Sequence, residues 1–139
     1  MAISADGDIL LARQTVREMA VRAGFRGSQP TFLATAVSEV ARNIVRFADH
    51  GSVTVELLPQ PRRGIRVVAR DAGPGIPDVE QAMSDGFSTD EGLGLGLPGA
   101  RRLVDEFRIA SEMGRGTTVV LTQWLLSRAN AAEDRAGRR

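Results

Sequence analysis

Cysteine is absent from this 139-residue chain, and histidine occurs once, as His50. The first absence removes disulfide frameworks, thiolate zinc sites and thiol nucleophiles. The second removes multi-histidine metal cages and weakens any Ser-His-Asp triad. Lysine is absent too, since all 18 basic residues are arginine. A Walker A loop and Schiff-base chemistry both need lysine, so nucleotide handling here must use another phosphate cradle. No run approaches the roughly eighteen apolar residues of a membrane span, and Met1 is not followed by a basic segment and apolar stretch. A cytoplasmic protein is expected. Net charge is only +1, and outside the C-terminal tail the arginines are spread along the chain, which leaves no electrostatic footprint for nucleic acid.

What is present is an ordinary core composition, 42% apolar and 25% charged, in a chain long enough for one domain and a tail. Ile9, Leu10, Ala12, Val16, Met19, Ala20 and Ala23 recur at spacings of three and four, which predicts an amphipathic helix from Asp8 closed by Gly24. Ser28-Gln29-Pro30 opens a second helix, whose apolar stripe runs from Leu33 to Ala48. Ser52–Leu58 and Gly64–Arg70 are β-branched runs joined by a Pro- and Arg-containing turn. A short helix near Val79–Met83, a helix over Pro98–Phe107, and strands at Arg108–Ser111 and Thr117–Leu126 complete the order α-α-β-β-α-β-β. Without regular βαβ alternation, this order predicts an α+β two-layer sandwich, with helices on one face of a mixed or antiparallel sheet. The domain is expected to span 1–126, followed by a flexible tail over 127–139.

Four constellations are capable of chemistry. Glu39, Asn43 and Arg46 lie at i, i+4 and i+7 on the second helix, beside its apolar stripe. A carboxylate for proton abstraction, an amide oxygen for a hard cation and a guanidinium for phosphate make a sensible set, although ordinary helix-surface pairs share that spacing. Asp71-Ala72-Gly73-Pro74-Gly75-Ile76-Pro77 follows a buried strand. There a carboxylate can accept from an exocyclic amine while glycines allow close approach, and a plain turn fits equally well. Gly92-Leu93-Gly94-Leu95-Gly96-Leu97-Pro98-Gly99 opens a helix, the setting in which backbone N–H groups bind phosphate. It formally matches G-x-G-x-x-G, but polar sequence precedes it where a Rossmann unit has a strand. Gly114-Arg115-Gly116-Thr117 is a hairpin turn ending in a candidate hydroxyl donor.

In this order and spacing the four phrases resemble the GHKL ATP-binding fold, the histidine-kinase-like ATPases, from about Asp8 to Leu126. Within it, Ser38-Glu39-Val40-Ala41-Arg42-Asn43-Ile44, Asp85-Gly86-Phe87-Ser88-Thr89 and Arg101-Arg102-Leu103-Val104-Asp105-Glu106-Phe107 are similar to the RsbT type, the serine/threonine kinases and switch proteins of stressosomes. The resemblance implies ATP and Mg²⁺ as cofactors. It implies that Glu39 activates the attacking hydroxyl, that Asn43 ligates Mg²⁺, and that Arg46 contacts phosphate in a place where Lys or His is common. Asp71 would take the adenine amino group in a pocket with Gly73, Gly75 and Ile76, and Thr117 would support Asp71. Phe87 to Leu97, including Ser88, Gly92, Leu93 and Leu95, would form a short lid, with Gly94 and Gly96 against the phosphates.

The fold serves kinases, gated ATPases and binding modules alike. No residues remain for the transducer domains of gyrase or the chaperones. His50, between Asp49 and Gly51, suits a helix C-terminus better than a phosphoacceptor. The resemblance therefore implies a kinase of a partner's Ser or Thr, that partner being an RsbS- or RsbR-like STAS-domain antagonist. Once released, the kinase would activate an RsbU-like phosphatase. The alternatives are an anti-sigma factor kinase that sequesters a sigma factor and a non-catalytic, nucleotide-gated interaction module. Retained Glu39 and Asn43 weigh against the latter.

Overall fold

A computed structural model of the protein describes residues 1–59, 62–84 and 96–125. The chain runs β1 (Ala2–Ile3), α1 (Asp6–Arg22), α2 (Gln29–Phe47), β2 (Gly51–Leu58), β3 (Gly64–Asp71), α3 (Val79–Ala82), α4 (Gly96–Leu103), β4 (Glu106–Glu112) and β5 (Gly116–Trp124). The α1 entry is set by Asp8, whose Oδ2 accepts the Ser4 and Ala5 amides at 2.9 and 3.0 Å. Those two backbone bonds hold its carboxyl below the usual carboxylate range. Ile9, Ala12, Val16 and Ala20 give α1 its buried stripe, and Pro30 sits in the first turn of α2, where its missing N–H costs nothing.

The five strands lie in the order β1-β2-β3-β5-β4, and every neighbouring pair is antiparallel. The expected α+β sandwich is therefore present, with the choice between mixed and antiparallel settled as antiparallel. Period-2 alternation turns Val53, Ile65, Val67, Ala69, Val119 and Leu121 inward, where they join Leu33, Ala36, Val37, Val40 and Ile44 of α2 in one core. The central helix α2 touches β1, β2, β3 and β5 as well as α1 and α4, so residues on its inner edge look directly at the strand ends.

Two expectations are corrected. The helix expected to reach Phe107 stops at Leu103, because Glu106 to Glu112 pair with β5 and Phe107 sits opposite Leu121. The sequence reading also omitted β1, a two-residue strand made by the N-terminus pairing with Gly51 and Ser52. The tail boundary expected after Leu126 lies outside the described residues.

The sheet end carrying Asp71 is closed by a glycine. A Cβ on Gly116 would collide with the Asp71 carbonyl and lie 2.8 Å from the Ala72 Cα, and φ there is +115°. Gly114, two residues earlier, has φ +79° and open space around it. Gly114→Ala should therefore cost about 1–2 kcal/mol, the left-handed backbone term alone. Gly116→Ala adds a backbone collision and should cost more than Gly114→Ala. Urea unfolding of both variants checks this, and equal costs would show that the contact with Asp71 is not rigid.

Candidate functional site

A cavity of about 410 Å³ opens between α2, the ends of β3 and β5, the Pro74–Asp78 segment, α3 and the start of α4. Its volume falls in the range of small-molecule sites. From α2 it receives Glu39, Asn43 and Arg46, from the sheet Asp71 and Thr117, from the following loop Gly75 and Ile76, and from α4 Gly96 and Leu97. These are nine of the residues singled out in the sequence. Gly73 is not on the wall; it stands behind Asp71. Phe87, Ser88, Gly92, Leu93, Gly94 and Leu95, the expected lid and phosphate loop, lie outside the described residues.

At one end, Asp71 closes β3 with Oδ1 accepting the Gly73 amide at 2.9 Å. That bond fixes the carboxylate and leaves Oδ2 for a ligand. The Gly73 backbone sits so close to α2 that an added Cβ would lie 2.6 Å from the Ala48 Cβ, and one on Gly75 would lie 2.5 Å from the Glu112 carbonyl. The two glycines are thus required by the protein's own packing against the helix end and the β4–β5 hairpin, not only by approach to a ligand. Asp71 and Thr117 are Cα partners across β3 and β5, so their side chains share a face.

At the other end, Glu39 is 7% exposed. Its Oε1 pairs with the Arg42 guanidinium at 2.6 Å, and its Oε2 accepts the Gly96 amide at 3.0 Å. Gly96 begins α4, so the carboxylate satisfies an orphan N–H at the positive end of that helix. Glu39 and Ala48 are nine residues apart, which on a helix rising about 1.5 Å per residue separates the two ends by about 13 Å. The cavity is therefore elongated, with an acceptor-rich base at the sheet and a helix terminus with Arg42 at the far end.

This donor set fits a flat polar ring joined to an anionic chain. Asp71 and Thr117 offer polar groups that suit a ring edge, while Arg42, Arg46 and the start of α4 bring positive charge that suits an anion. Among the described residues no group of three or more His, Cys, Asp or Glu could hold a metal ion. A cation here would take the Asn43 amide oxygen and complete its shell with ligand oxygens and water, as Mg²⁺ does. Two residues were missed in the sequence. Arg42 carried only the i+3 spacing of any helix pair, and Ser111, whose hydroxyl accepts the Ile76 amide at 2.7 Å, carried no signal of its own.

Comparison with known proteins agrees with this geometry. Residues 28–127 match the family model described as histidine kinase-, DNA gyrase B-, and HSP90-like ATPase. The chain is 44% identical to the serine/threonine-protein kinase RsbT of Bacillus subtilis over 88% of its own length and 93% of that protein's. It is 32% identical to the anti-sigma F factor of Caldanaerobacter subterraneus over 67% of its own length and 68% of that protein's. Among solved structures, the RsbU and RsbW domains of Rv1364c from Mycobacterium tuberculosis superimpose with a TM-score of 0.63 at 22% identity, covering 90% of this chain and 32% of that larger one. Among the described residues, no helix is long and apolar enough to cross a membrane.

Glu39→Ala would strip the Gly96 amide of its acceptor and Arg42 of its counter-ion. A loss of about 1–3 kcal/mol in urea unfolding is expected, the cost of leaving buried polar groups unmade. Arg42→Ala, which leaves the Glu39 carboxylate buried without its counter-ion, should destabilise too. No loss in Glu39→Ala would show that Glu39 is not what holds the start of α4.

Proposed function

Because the chain belongs to the histidine kinase-, DNA gyrase B-, and HSP90-like ATPase family, we propose that it is an ATP- and Mg²⁺-dependent protein-serine/threonine kinase and partner-switching regulator acting in the cytoplasm. Its substrate is a STAS-domain antagonist of the RsbS or RsbR kind. On release it activates a downstream regulator such as an RsbU-like phosphatase. The observation that carries this is the elongated cavity with Asp71 and Thr117 at one end and Glu39 and Asn43 at the other, in a chain 44% identical to a serine/threonine kinase over nearly its whole length. The anti-sigma alternative rests on lower identity over less of the chain.

Asp71 Oδ2 accepts the adenine amino group, with the loop Pro74 to Ile76 against the ring. Asn43 would supply the protein oxygen for Mg²⁺, which when bound would neutralise phosphate charge. Arg46 contacts phosphate. Glu39 accepts the proton of the partner's hydroxyl as that oxygen bonds to the γ-phosphorus and the bond to the bridging oxygen of ADP breaks. A carboxylate oxygen has two lone pairs. Each oxygen of Glu39 therefore still has one to offer despite Arg42 and Gly96.

Incubation of the chain with ATP, Mg²⁺ and a STAS-domain antagonist from its own organism should yield a phosphoserine or phosphothreonine in the antagonist, read by mass spectrometry. Glu39→Gln, which keeps the shape but only one of the two accepting oxygens, should slow transfer by roughly 10² to 10⁴, the share of a general base. Absence of transfer by the wild-type chain would overturn the kinase assignment. Unchanged transfer by Glu39→Gln would remove Glu39 from the chemistry.

A further inference from the structure

Asp71, Thr117 and Ser111 form one row across the end of the sheet, because Asp71 pairs with Thr117 between β3 and β5 and Thr117 with Ser111 between β5 and β4. Asp71 and Thr117 line the cavity, and Ser111 stands one strand behind them. The Ser111 hydroxyl accepts the Ile76 amide at 2.7 Å, lies 2.8 Å from the Thr117 hydroxyl, and reaches the Gly116 carbonyl at 3.3 Å. A serine hydroxyl has one proton to give. Given to Thr117, it leaves the threonine's own proton for an acceptor in the cavity. Given to Gly116, it turns Ser111 into the acceptor of the threonine's proton, and Thr117 then shows the cavity only lone pairs. The carbonyl contact is the longer of the two, so the first arrangement is favoured.

We propose that Ser111 is a positioning residue for base selection, which makes Thr117 a hydrogen-bond donor toward the ligand and ties the Ile76 amide of the ring-binding loop to the same hydroxyl. The proposal rests on the adenine-nucleotide assignment above. The Asp71 carboxylate accepts, and a Thr117 held by Ser111 donates. Side by side they match an edge that presents an amino group next to a bare ring nitrogen, as adenine does. Hypoxanthine presents the opposite order, a carbonyl next to a ring N–H, so it would set oxygen against carboxylate and proton against proton. Without Ser111, Thr117 is free to turn its hydroxyl either way, and the Ile76 amide loses its acceptor.

The test is calorimetric titration of the full chain with ATP and with ITP, in the wild type, Ser111→Ala and Ser111→Thr. Ser111→Ala should bind ATP about tenfold more weakly, the cost of one unmade, part-buried hydrogen bond. It should bind ITP with little change, so that the preference for ATP falls by about fivefold or more. Ser111→Thr retains the hydroxyl and should keep the preference within about twofold of wild type. A purely structural serine would weaken both nucleotides alike, so an unchanged ATP-to-ITP ratio in Ser111→Ala overturns the proposal. Should Ser111→Ala fail to fold, Ser111→Cys keeps the volume with a poor donor and acceptor, and the same fall or constancy of the ratio decides. A wild-type chain that binds no ATP overturns the nucleotide assignment and this proposal together, whereas an ATP-binding wild type with an indifferent Ser111→Ala overturns Ser111 alone.

Discussion

Everything in this site depends on how closely backbone is packed around Asp71. Gly51, Gly73 and Gly116 approach this residue from the paired strand, its own loop and the β4–β5 hairpin. At each of the three, an added Cβ would lie within about van der Waals contact of Asp71 itself or closer. One turn further along the loop, Gly75 presses on the hairpin backbone at Glu112. A carboxylate held this way has little freedom to move, and one of its oxygens is already committed to the Gly73 amide. Preorganisation of this kind costs affinity nothing at the moment of binding. Position along the sheet then does the rest, since Thr117 and Ser111 fall beside Asp71 only because the register of β3, β5 and β4 puts them there.

Much of the fold was legible because its signals are local. The stripe on α2 repeats at helical spacing over nineteen residues, and β2 and β3 are eight-residue β-branched runs punctuated by glycine and proline. What the sequence hid depends on long-range pairing. β1 is two residues long and exists only because β2 offers it an edge, with the terminal amine donating to the Val53 carbonyl at 2.7 Å. The helix α4 ends before its sequence pattern does because the next residues are claimed elsewhere. The Asp105 carboxylate accepts the Trp124 amide at 2.8 Å and the Glu106 carboxylate accepts the Trp124 indole N–H at 2.6 Å, which draws the chain into β4.

The site divides the same way. Glu39 and Asn43 were recognisable because one helix carries both, and Asp71 because glycines follow it. Thr117 acquires its meaning from Asp71, forty-six positions earlier, and Ser111 from Thr117 and Ile76 together. A serine inside a strand is unremarkable by itself. Its signal was the period-2 count that places it on the inward face opposite Thr117, which is usable only once the β4–β5 register is known.

The far end of the cavity poses an electrostatic difficulty that the chain resolves with arginine. A carboxylate beside the triphosphate proposed for this cavity would set negative against negative, and at about 4 Å with an effective dielectric of 20 two unit charges repel by about 4 kcal/mol. Arg42, at 2.6 Å from Oε1, offsets the Glu39 charge, and the Gly96 amide takes up part of the charge on Oε2. Arg46, on the same helix, also lines the cavity. The pairing also restrains the carboxylate, because a planar guanidinium three residues along the helix holds one oxygen while the start of α4 holds the other. An alternative with lysine at position 42 would supply the charge but not the planar guanidinium. In a chain without a single lysine, Arg42 on α2 supplies both the neutralisation and the restraint of Glu39 that the proposed transfer requires.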